Sequence, residues 1–236
     1  MDKDNQQSQT SDFFNMVLAS TVHDMKNSLG MLGESLNHIL AEIDIEKLNP
    51  ELKNSHTVVQ YESARVNNSL MQLLALYKLE SNQLPFNPNY VNLADFLDEQ
   101  KIKHSPLLEA KNISCQIDVD ESIEAFFDEC LIGTLLDNII GNAVRYTKHQ
   151  IIISGWQKNS QIKISVSDDG SGYPQEMIEM QGDYMLGINQ STGSTGLGLF
   201  FAQQIAAMHQ HKGKGGEINL ANNEKLAGGH FCLTLP

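Results

Sequence analysis

Two glycine-rich segments carry residue types suited to holding a phosphorylated ligand. A predicted strand runs into Asp168-Asp-Gly-Ser-Gly172, and a second segment, Gly193-Ser-Thr-Gly-Leu-Gly198, opens into a predicted helix. Glycine lets the main chain approach a ligand closely, and the N–H groups at a helix N-terminus hold phosphate without a formal positive charge. The candidate binding residues in these segments are Asp168, Gly170, Gly172, Gly193, Thr195, Gly196, Leu197 and Gly198.

A pair of asparagines upstream points to the same kind of ligand. Asn138 and Asn142 are four residues apart in a predicted helix, so they share a face. Amide oxygens suit Mg²⁺, which keeps waters and takes substrate phosphates as further ligands. Arg145 could then reach phosphate oxygens and Tyr146 could cover a purine ring. The residues alone leave an ordinary solvated helix face open as the alternative, just as Asp-Gly alone is a common turn pair.

A candidate nucleophile lies far upstream, in His23-Asp-Met-Lys-Asn27. An imidazole nitrogen attacks only when it is unprotonated and correctly oriented. Asp24 could hold the ring proton and accept it as a general base. Asn27, one turn along the same helix, could orient a water. His23 falls off the apolar seam of its helix, so we expect it to face outward.

The seam itself predicts two long helices. Apolar residues recur every three or four positions from Phe14 to Ile43, and Asn49-Pro50 ends this pattern. A second such run extends from Leu52 to Leu79. Two helices cannot bury both seams by themselves, so we expect a four-helix bundle formed by a homodimer. The alternative is that these helices pack on the C-terminal domain.

The rest of the chain predicts a mixed α/β domain. We expect a disordered tail at residues 1–10, the helical hairpin at 11–83, a linker at 84–90 and the second domain at 91–236. In this domain the patterns predict a short helix and a loop at 91–110, helices at 129–148 and 197–209, and strands at 113–119, 125–127, 151–156, 161–167, 216–220 and 230–235. The strands at 151–156 and 161–167 are expected to form a hairpin around Lys158-Asn159. This order favours an α/β sandwich, one sheet covered on one face by helices.

The composition limits the partners. A formal net charge of −13 argues against nucleic acid or an anionic membrane as a ligand, since both require a basic face. Three widely spaced cysteines fit neither a disulfide framework nor a metal site. No apolar run reaches the ~18 residues needed to span a bilayer. We therefore expect a cytoplasmic protein without membrane insertion.

The order of these motifs resembles that of the sensor histidine kinases. Residues 90–236 resemble their ATP-binding domain, which belongs to the group shared with gyrase, Hsp90 and MutL. Asn138–Asn142 is similar to the N box, Asp168–Gly172 to the G1 box and Gly193–Gly198 to the G2 box. Residues 11–81 resemble the dimerisation and histidine phosphotransfer hairpin.

The resemblance implies roles for the candidates. Asn142 would ligate Mg²⁺ with Asn138 assisting, Arg145 would lie by the phosphates, and Tyr146 and Asp168 by the adenine. Residues 173–195 would form a mobile ATP lid. The protein would transfer phosphate from ATP to His23 and on to an aspartate in the receiver domain of a response regulator. The motif around His23 implies that it also dephosphorylates that regulator.

Three departures from the family pattern accompany this resemblance. Tyr173 stands where the family usually has a small aliphatic residue, Tyr184-Met-Leu186 replaces the phenylalanine-rich F box, and Ser28 replaces the proline of the H box. The alternatives are a non-catalytic phosphotransfer or scaffold protein, and an ATPase or Ser/Thr kinase of the same pocket group. Because the resemblance covers nearly the whole chain, a separate sensor protein is a further expected partner.

Overall fold

The chain divides into two compact units, residues 1–84 and 85–236. The computed structural model describes residues 20–22, 24–35, 38, 50–81, 83–180, 196–223 and 226–236. The predicted tail at residues 1–10 lies outside the described residues. Tyr184-Met-Leu186 and most of the predicted lid also lie outside the described residues.

The N-terminal unit is helical wherever it is described. Residues 20–22, 24–35 and 38 are in helical conformation, and helix α1 spans Pro50–Glu80. Proline at the first helical position is favourable because its missing N–H would be unpaired there anyway. Val22 and Leu76 are buried. An open groove of about 450 Å³ is lined by residues of both segments: Thr21, Asp24, Met25, Ser28, Leu29, Leu32, Val66 and Leu70.

The C-terminal unit contains the sheet and helices that the sequence predicts for an α/β domain. Its helices are α2 (Leu93–Ala110), α3 (Glu129–Tyr146), α4 (Gln175–Glu179) and α5 (Leu197–Met208). Its strands are β1 (Asn89–Asn92), β2 (Ser114–Val119), β3 (Glu124–Phe127), β4 (Gln150–Lys158), β5 (Gln161–Asp168), β6 (Gln210–His211), β7 (Lys214–Gly215), β8 (Glu217–Asn222) and β9 (Gly229–Leu235).

The main sheet has five strands in the order β2-β4-β5-β9-β8. Strands β2 and β4 are parallel, and the other pairs are antiparallel. The predicted hairpin joins β4 to β5 through Asn159 and Ser160, which both have positive φ. Such a two-residue turn matches the twist of the flanking strands. The register aligns Ile151 with Asp168, so the glycine turn emerges beside the start of β4.

The core lies between this sheet and helices α2, α3 and α5, which contact its strands. Burial alternates along β4, as expected for a sheet covered on one face. In β5 it alternates only at the start, and the residues from Ile164 to Asp168 are all buried. The large side chains with almost no exposure include Phe96, Phe127, Ile132, Leu135, Leu136, Ile140, Ile151, Ile153, Phe201 and Phe231. Gly155 lies directly under Leu93 and Leu97, which lets α2 approach the sheet.

Two segments differ from the sequence prediction. Asn89 and Tyr90, assigned to the linker, are strand residues because β1 pairs with β3. Residues 91–110 were expected to form a short helix and a loop, but α2 continues to Ala110 through Pro106. Proline removes an N–H from the helix, and the Ser105 hydroxyl supplies a replacement donor to the Ile102 carbonyl at 2.8 Å.

Candidate nucleotide site

Helix α3 is the element around which the candidate site is built. The Asp128 side chain caps its N-terminus by accepting from Leu131 N at 3.0 Å. One face of the helix packs into the core. The opposite side carries the predicted ligand residues: Asn138 is half-buried, whereas Asn142, Arg145 and Tyr146 are exposed. The Arg145 guanidinium lies 5.5 Å from the centre of the Tyr146 ring.

The start of α5 lies against Asn138. Gly196 adopts a left-handed conformation, with φ of 67°, at the position before the helix. A Cβ added to Gly198 would collide with the amide group of Asn138, so the glycine permits this close approach. The Asn138 Nδ2 atom is buried and has no hydrogen-bond partner among the described residues. An unpaired buried donor is costly, and a ligand oxygen would relieve that cost.

The glycine turn after β5 lies against the other end of α3. The Asp168 side chain is buried, and its Oδ1 accepts from Gly170 N at 2.7 Å and Gly229 N at 3.2 Å. A Cβ on Gly170 would collide with the Tyr146 carbonyl oxygen. Gly172 has a φ of 76°, which glycine adopts without strain. The turn is therefore held by contacts that only glycine allows.

Asp169 is a structural residue that the sequence analysis did not single out. Its carboxylate accepts from the Thr147 hydroxyl and from the main-chain N–H groups of Lys148, His149 and Gln150. Partial burial raises the pKa of Asp169, but these hydrogen bonds outweigh it and hold the pKa well below its usual range. This carboxylate therefore ties the loop after α3 to the glycine turn.

A second unpredicted contact fixes the other side of α3. The Asp137 carboxylate, next to Asn138, forms an ion pair with Lys103 and lies 3.2 Å from His104 Nε2. Burial raises the pKa of Asp137, and the partners His104 and Lys103 outweigh it, so the pKa lies below its usual value. These contacts join α2 to α3 directly behind the candidate site.

The structure brings together most of the predicted binding residues but not all of them. Asn138 meets Gly198, and Tyr146 meets Gly170 beside Asp168. Asp24 and Asn27 lie in the N-terminal unit, where both are exposed and helical. Three predicted residues lie outside the described part of the chain: His23, Gly193 and Thr195.

The residues present fit a magnesium nucleotide better than a metal bound by protein alone. In the described part of the chain, no group of three or more His, Cys, Asp or Glu side chains could hold a metal. Mg²⁺ needs only one or two protein ligands when phosphates and waters supply the others. The exposed amide of Asn142 can serve in this way. The orphaned Nδ2 of Asn138 is a donor, so it suits a phosphate oxygen.

Comparison with known proteins agrees with this geometry. Residues 127–236 match the family described as histidine kinase-, DNA gyrase B-, and HSP90-like ATPase. The chain is 29% identical over 202 residues to the sensor histidine kinase YvrG of Bacillus subtilis, covering 81% of this chain and 34% of that protein. It is 27% identical over 225 residues to the sensor protein SrrB of Staphylococcus aureus, covering 93% of this chain and 37% of that protein.

Solved structures show the same fold. The catalytic domain of histidine kinase ThkA aligns with a TM-score of 0.55 at 24% identity, covering 64% of this chain and 97% of that chain. Full-length ShkA in complex with AMPPNP aligns with a TM-score of 0.65 at 21% identity, covering 94% of this chain and 45% of that chain.

The fold and the matched region define the C-terminal unit as an ATPase domain of the kind shared by histidine kinases, gyrase B and HSP90. The similarity to YvrG extends over 81% of the chain, so residues outside the matched domain also resemble a sensor histidine kinase. The chain spans about a third of the length of the curated relatives that it matches. No helix in the described residues is long and apolar enough to cross a membrane.

Proposed function

We propose that this chain is an ATP-dependent protein-histidine kinase. It transfers the γ-phosphoryl group of Mg-ATP to His23 and then to an aspartate in the receiver domain of a response regulator. One observation carries the proposal: Gly198 packs against Asn138 and Gly170 against Tyr146, so both glycine segments meet along α3. These contacts are eight residues apart, or about 12 Å along a helix.

Each end of this stretch suits one end of a nucleotide. At one end, the buried Asp168 carboxylate accepts a hydrogen bond from the 6-amino group of adenine, and guanine, which has a carbonyl oxygen at that position, is disfavoured. At the other end, Asn142 holds Mg²⁺ with Asn138 assisting, and Arg145 neutralises phosphate charge. The N-terminus of α5, at Gly196 and Gly198, lies at this end, and a helix N-terminus favours phosphate through its dipole and main-chain N–H groups.

The transfer step requires the imidazole of His23 to be neutral. One ring nitrogen attacks the γ-phosphorus, a nitrogen–phosphorus bond forms, and the bond to the ADP oxygen breaks. Asp24 accepts the proton that leaves the ring. In the separate dephosphorylation of the regulator, Asn27 orients the water that attacks the aspartyl phosphate, and inorganic phosphate leaves. Catalysis of this kind depends mainly on positioning and charge neutralisation.

A homodimer would complete the N-terminal unit. Several apolar side chains of its helices are exposed in the single chain: Met25 (50%), Met31 (68%), Leu32 (52%), Val59 (41%), Val66 (42%) and Met71 (37%). A second copy of the same helices would bury this seam in a four-helix bundle. The exposed residues around Asp24 would remain the docking place for the receiver domain, and a separate sensor protein would supply the input.

The test is incubation of the protein with γ-³²P-ATP and Mg²⁺ beside His23→Gln and Asn142→Ala. We expect acid-labile, base-stable label on the wild type alone, because a phosphoramidate differs from a phosphoester in this way. Label that persists in His23→Gln would contradict the acceptor assignment. Base-labile, acid-stable label would indicate a Ser/Thr kinase instead. ATP binding is measured in parallel by calorimetry, and its absence would leave the phosphotransfer scaffold as the better interpretation.

A further inference from the structure

Tyr173 departs from the family pattern at the edge of the candidate site. It follows Gly172 directly, where a small aliphatic residue is expected from the resemblance. A tyrosine needs considerably more room than such a residue.

The main chain of Tyr173 is held firmly in place. Asn222, the last residue of β8, accepts from Tyr173 N at 2.7 Å and donates to Tyr173 O at 3.1 Å. Gly172 lies against the same amide, where a Cβ would clash with it. Two hydrogen bonds from one amide side chain to the N–H and C=O of the same residue restrain the main chain of that residue. The half-buried side chain of Tyr173 therefore starts from a fixed main-chain position.

The ring lies against Gly229, whose missing side chain provides the space that the ring needs. The position that a Cβ on Gly229 would occupy is 3.1 Å from Tyr173 Cε2 and 2.8 Å from Asp168 Oδ2. The edge of the tyrosine ring and the Asp168 carboxylate therefore flank one small space. Gly228 lies beside it and also packs against Asp168 and Gly170, where a Cβ would clash with the main chain.

We propose that Tyr173 forms an aromatic wall of the nucleotide-base subsite beside Asp168, and that Gly229 lacks a side chain to accommodate this ring. This inference rests on the proposed function. Aromatic rings pack well on flat π systems in offset or edge-to-face geometry. Asp168 then selects the base by a hydrogen bond, whereas Tyr173 contributes affinity through its ring. Tyr173 and Gly229 act as a matched large and small pair.

The experiment measures ATP affinity of the full chain by calorimetry in Mg²⁺ for Tyr173→Phe and Tyr173→Ala. We expect the phenylalanine variant to bind within about twofold of the wild type and the alanine variant to bind about tenfold more weakly, since the ring and not the hydroxyl provides the contact. Tyr90→Ala is the matched control. Tyr90 is 78% exposed in the same unit and should not alter ATP affinity.

Two further readouts separate a base-subsite wall from general packing. Inorganic tripolyphosphate, which lacks a base, should compete with ATP with the same affinity in the wild type and in Tyr173→Ala. Gly229→Ala should weaken ATP binding when Tyr173 is present and have a smaller effect in the Tyr173→Ala background, because the added methyl group then meets no ring. Such non-additivity is expected only of residues in contact.

The outcomes distinguish this inference from the proposed function. A wild type that binds ATP, together with Tyr173→Ala that binds it equally well, would overturn the inference and leave the kinase proposal intact. Equal weakening of ATP and tripolyphosphate would also overturn it, because the ring would then act on the whole pocket. A wild type that binds no ATP would contradict the proposed function itself.

Discussion

The two ends of the proposed nucleotide site are built differently. The base end, formed by Asp168, Gly170, Tyr173 and Gly229, is closed by the protein itself. The Asp168 carboxylate has two main-chain donors there, and the Tyr173 main chain is held by a side-chain amide. The phosphate end, formed by Asn138, Asn142, Gly196 and Gly198, instead contains a buried amide nitrogen with no partner among the described residues.

This difference indicates how affinity is divided in the site. A preorganised base end loses little freedom when a ligand binds, so its contacts contribute directly to selectivity. The phosphate end retains an unpaired donor whose cost is recovered only when a phosphate oxygen arrives. Substitutions at the phosphate end should therefore affect ATP binding most, while substitutions that support the base end should affect stability as well.

The largest expected effect is that of Gly198→Ala, at the phosphate end. The added Cβ would collide with the Asn138 amide, so either that amide rotates away or α5 shifts. We expect ATP affinity to fall at least about tenfold and the free energy of unfolding to fall by about 1–3 kcal/mol through overpacking. Calorimetry with ATP and urea unfolding measure the two quantities.

Gly141→Ala on α3 is a comparison for the stability part of that prediction. A Cβ at this position would meet nothing within 4 Å. Alanine is a better helix former than glycine, so the free energy of unfolding should rise by about 0.5–1 kcal/mol. If Gly198→Ala were as stable as the wild type and bound ATP as tightly, the close packing of α5 on Asn138 would have no energetic role.

The next effect in size is that of Asp169→Asn, which supports the base end. Neutralising the carboxylate weakens its hydrogen bonds with Thr147 and the following main chain, and it leaves an amide group facing N–H donors. Hydrogen bonds to charged groups are the stronger kind, so we expect the free energy of unfolding at pH 7 to fall by about 2 kcal/mol. Urea unfolding measures this change.

The pH dependence of that effect follows from the lowered pKa of Asp169. A carboxyl group with a depressed folded-state pKa stabilises the protein fully above its unfolded pKa of about 3.9, and that contribution is lost as the pH falls through the folded value. The difference between wild type and Asp169→Asn should therefore narrow below about pH 4. The exposed Asp120, which accepts from Ser122 within its own turn, is the control, and Asp120→Asn should leave stability nearly unchanged.

The sequence predicted the parts of this site that depend on local patterns. The glycine turn follows an alternating strand, and the asparagines share a helix face, so both could be placed on their elements. Asp169 could not, because most of its partners are main-chain N–H groups that every residue carries. Tyr173 was noticed only as a departure, since its relation to Gly229 spans more than 50 residues of chain and depends on the sheet register.

The fold shows the same limit. Strand β1 lies among prolines and asparagines, a composition that predicts a linker. It is a strand because it pairs with β3. The sequence predicts an interruption of helix α2 because a proline such as Pro106 inside a helical pattern usually ends the helix. In the structure the Ser105 hydroxyl donates to the Ile102 carbonyl, which the missing N–H of Pro106 leaves without its helical donor. Local sequence therefore predicted elements well where propensity and packing agree, and failed where a tertiary partner decided.

The smallest expected effect concerns the far ends of the helices that form the phosphate end. His209, buried at the C-terminus of α5, accepts from Asp128 N at 3.0 Å through Nε2 and donates from Nδ1 to Ile205 O at 2.8 Å. A main-chain N–H can only donate, so the ring must be neutral with its proton on Nδ1. It thereby joins the end of α5 to the start of α3.

Burial lowers the pKa of His209, although Ile205 and Asp128 act in the opposite direction. At pH 7 the folded ring is neutral, and the unfolded ring, with a pKa of about 6.5, is mostly neutral. Below the unfolded pKa of about 6.5, His209 binds a proton in the unfolded chain but not in the folded protein. Stability should then fall with pH, by at most about 1.4 kcal/mol per pH unit, until the folded pKa is reached.

Urea unfolding at pH 7.0 and 5.5 tests this for the wild type, His209→Gln and His211→Gln. We expect the loss of stability on acidification to be smaller in His209→Gln, because its side chain does not titrate, and to match the wild type in the exposed His211→Gln. Part of the loss should persist in His209→Gln, since burial also lowers the pKa of His230. An unchanged loss in His209→Gln would mean that the junction of α3 and α5 does not depend on a neutral imidazole, and the phosphate end would then be held by its glycine contacts alone.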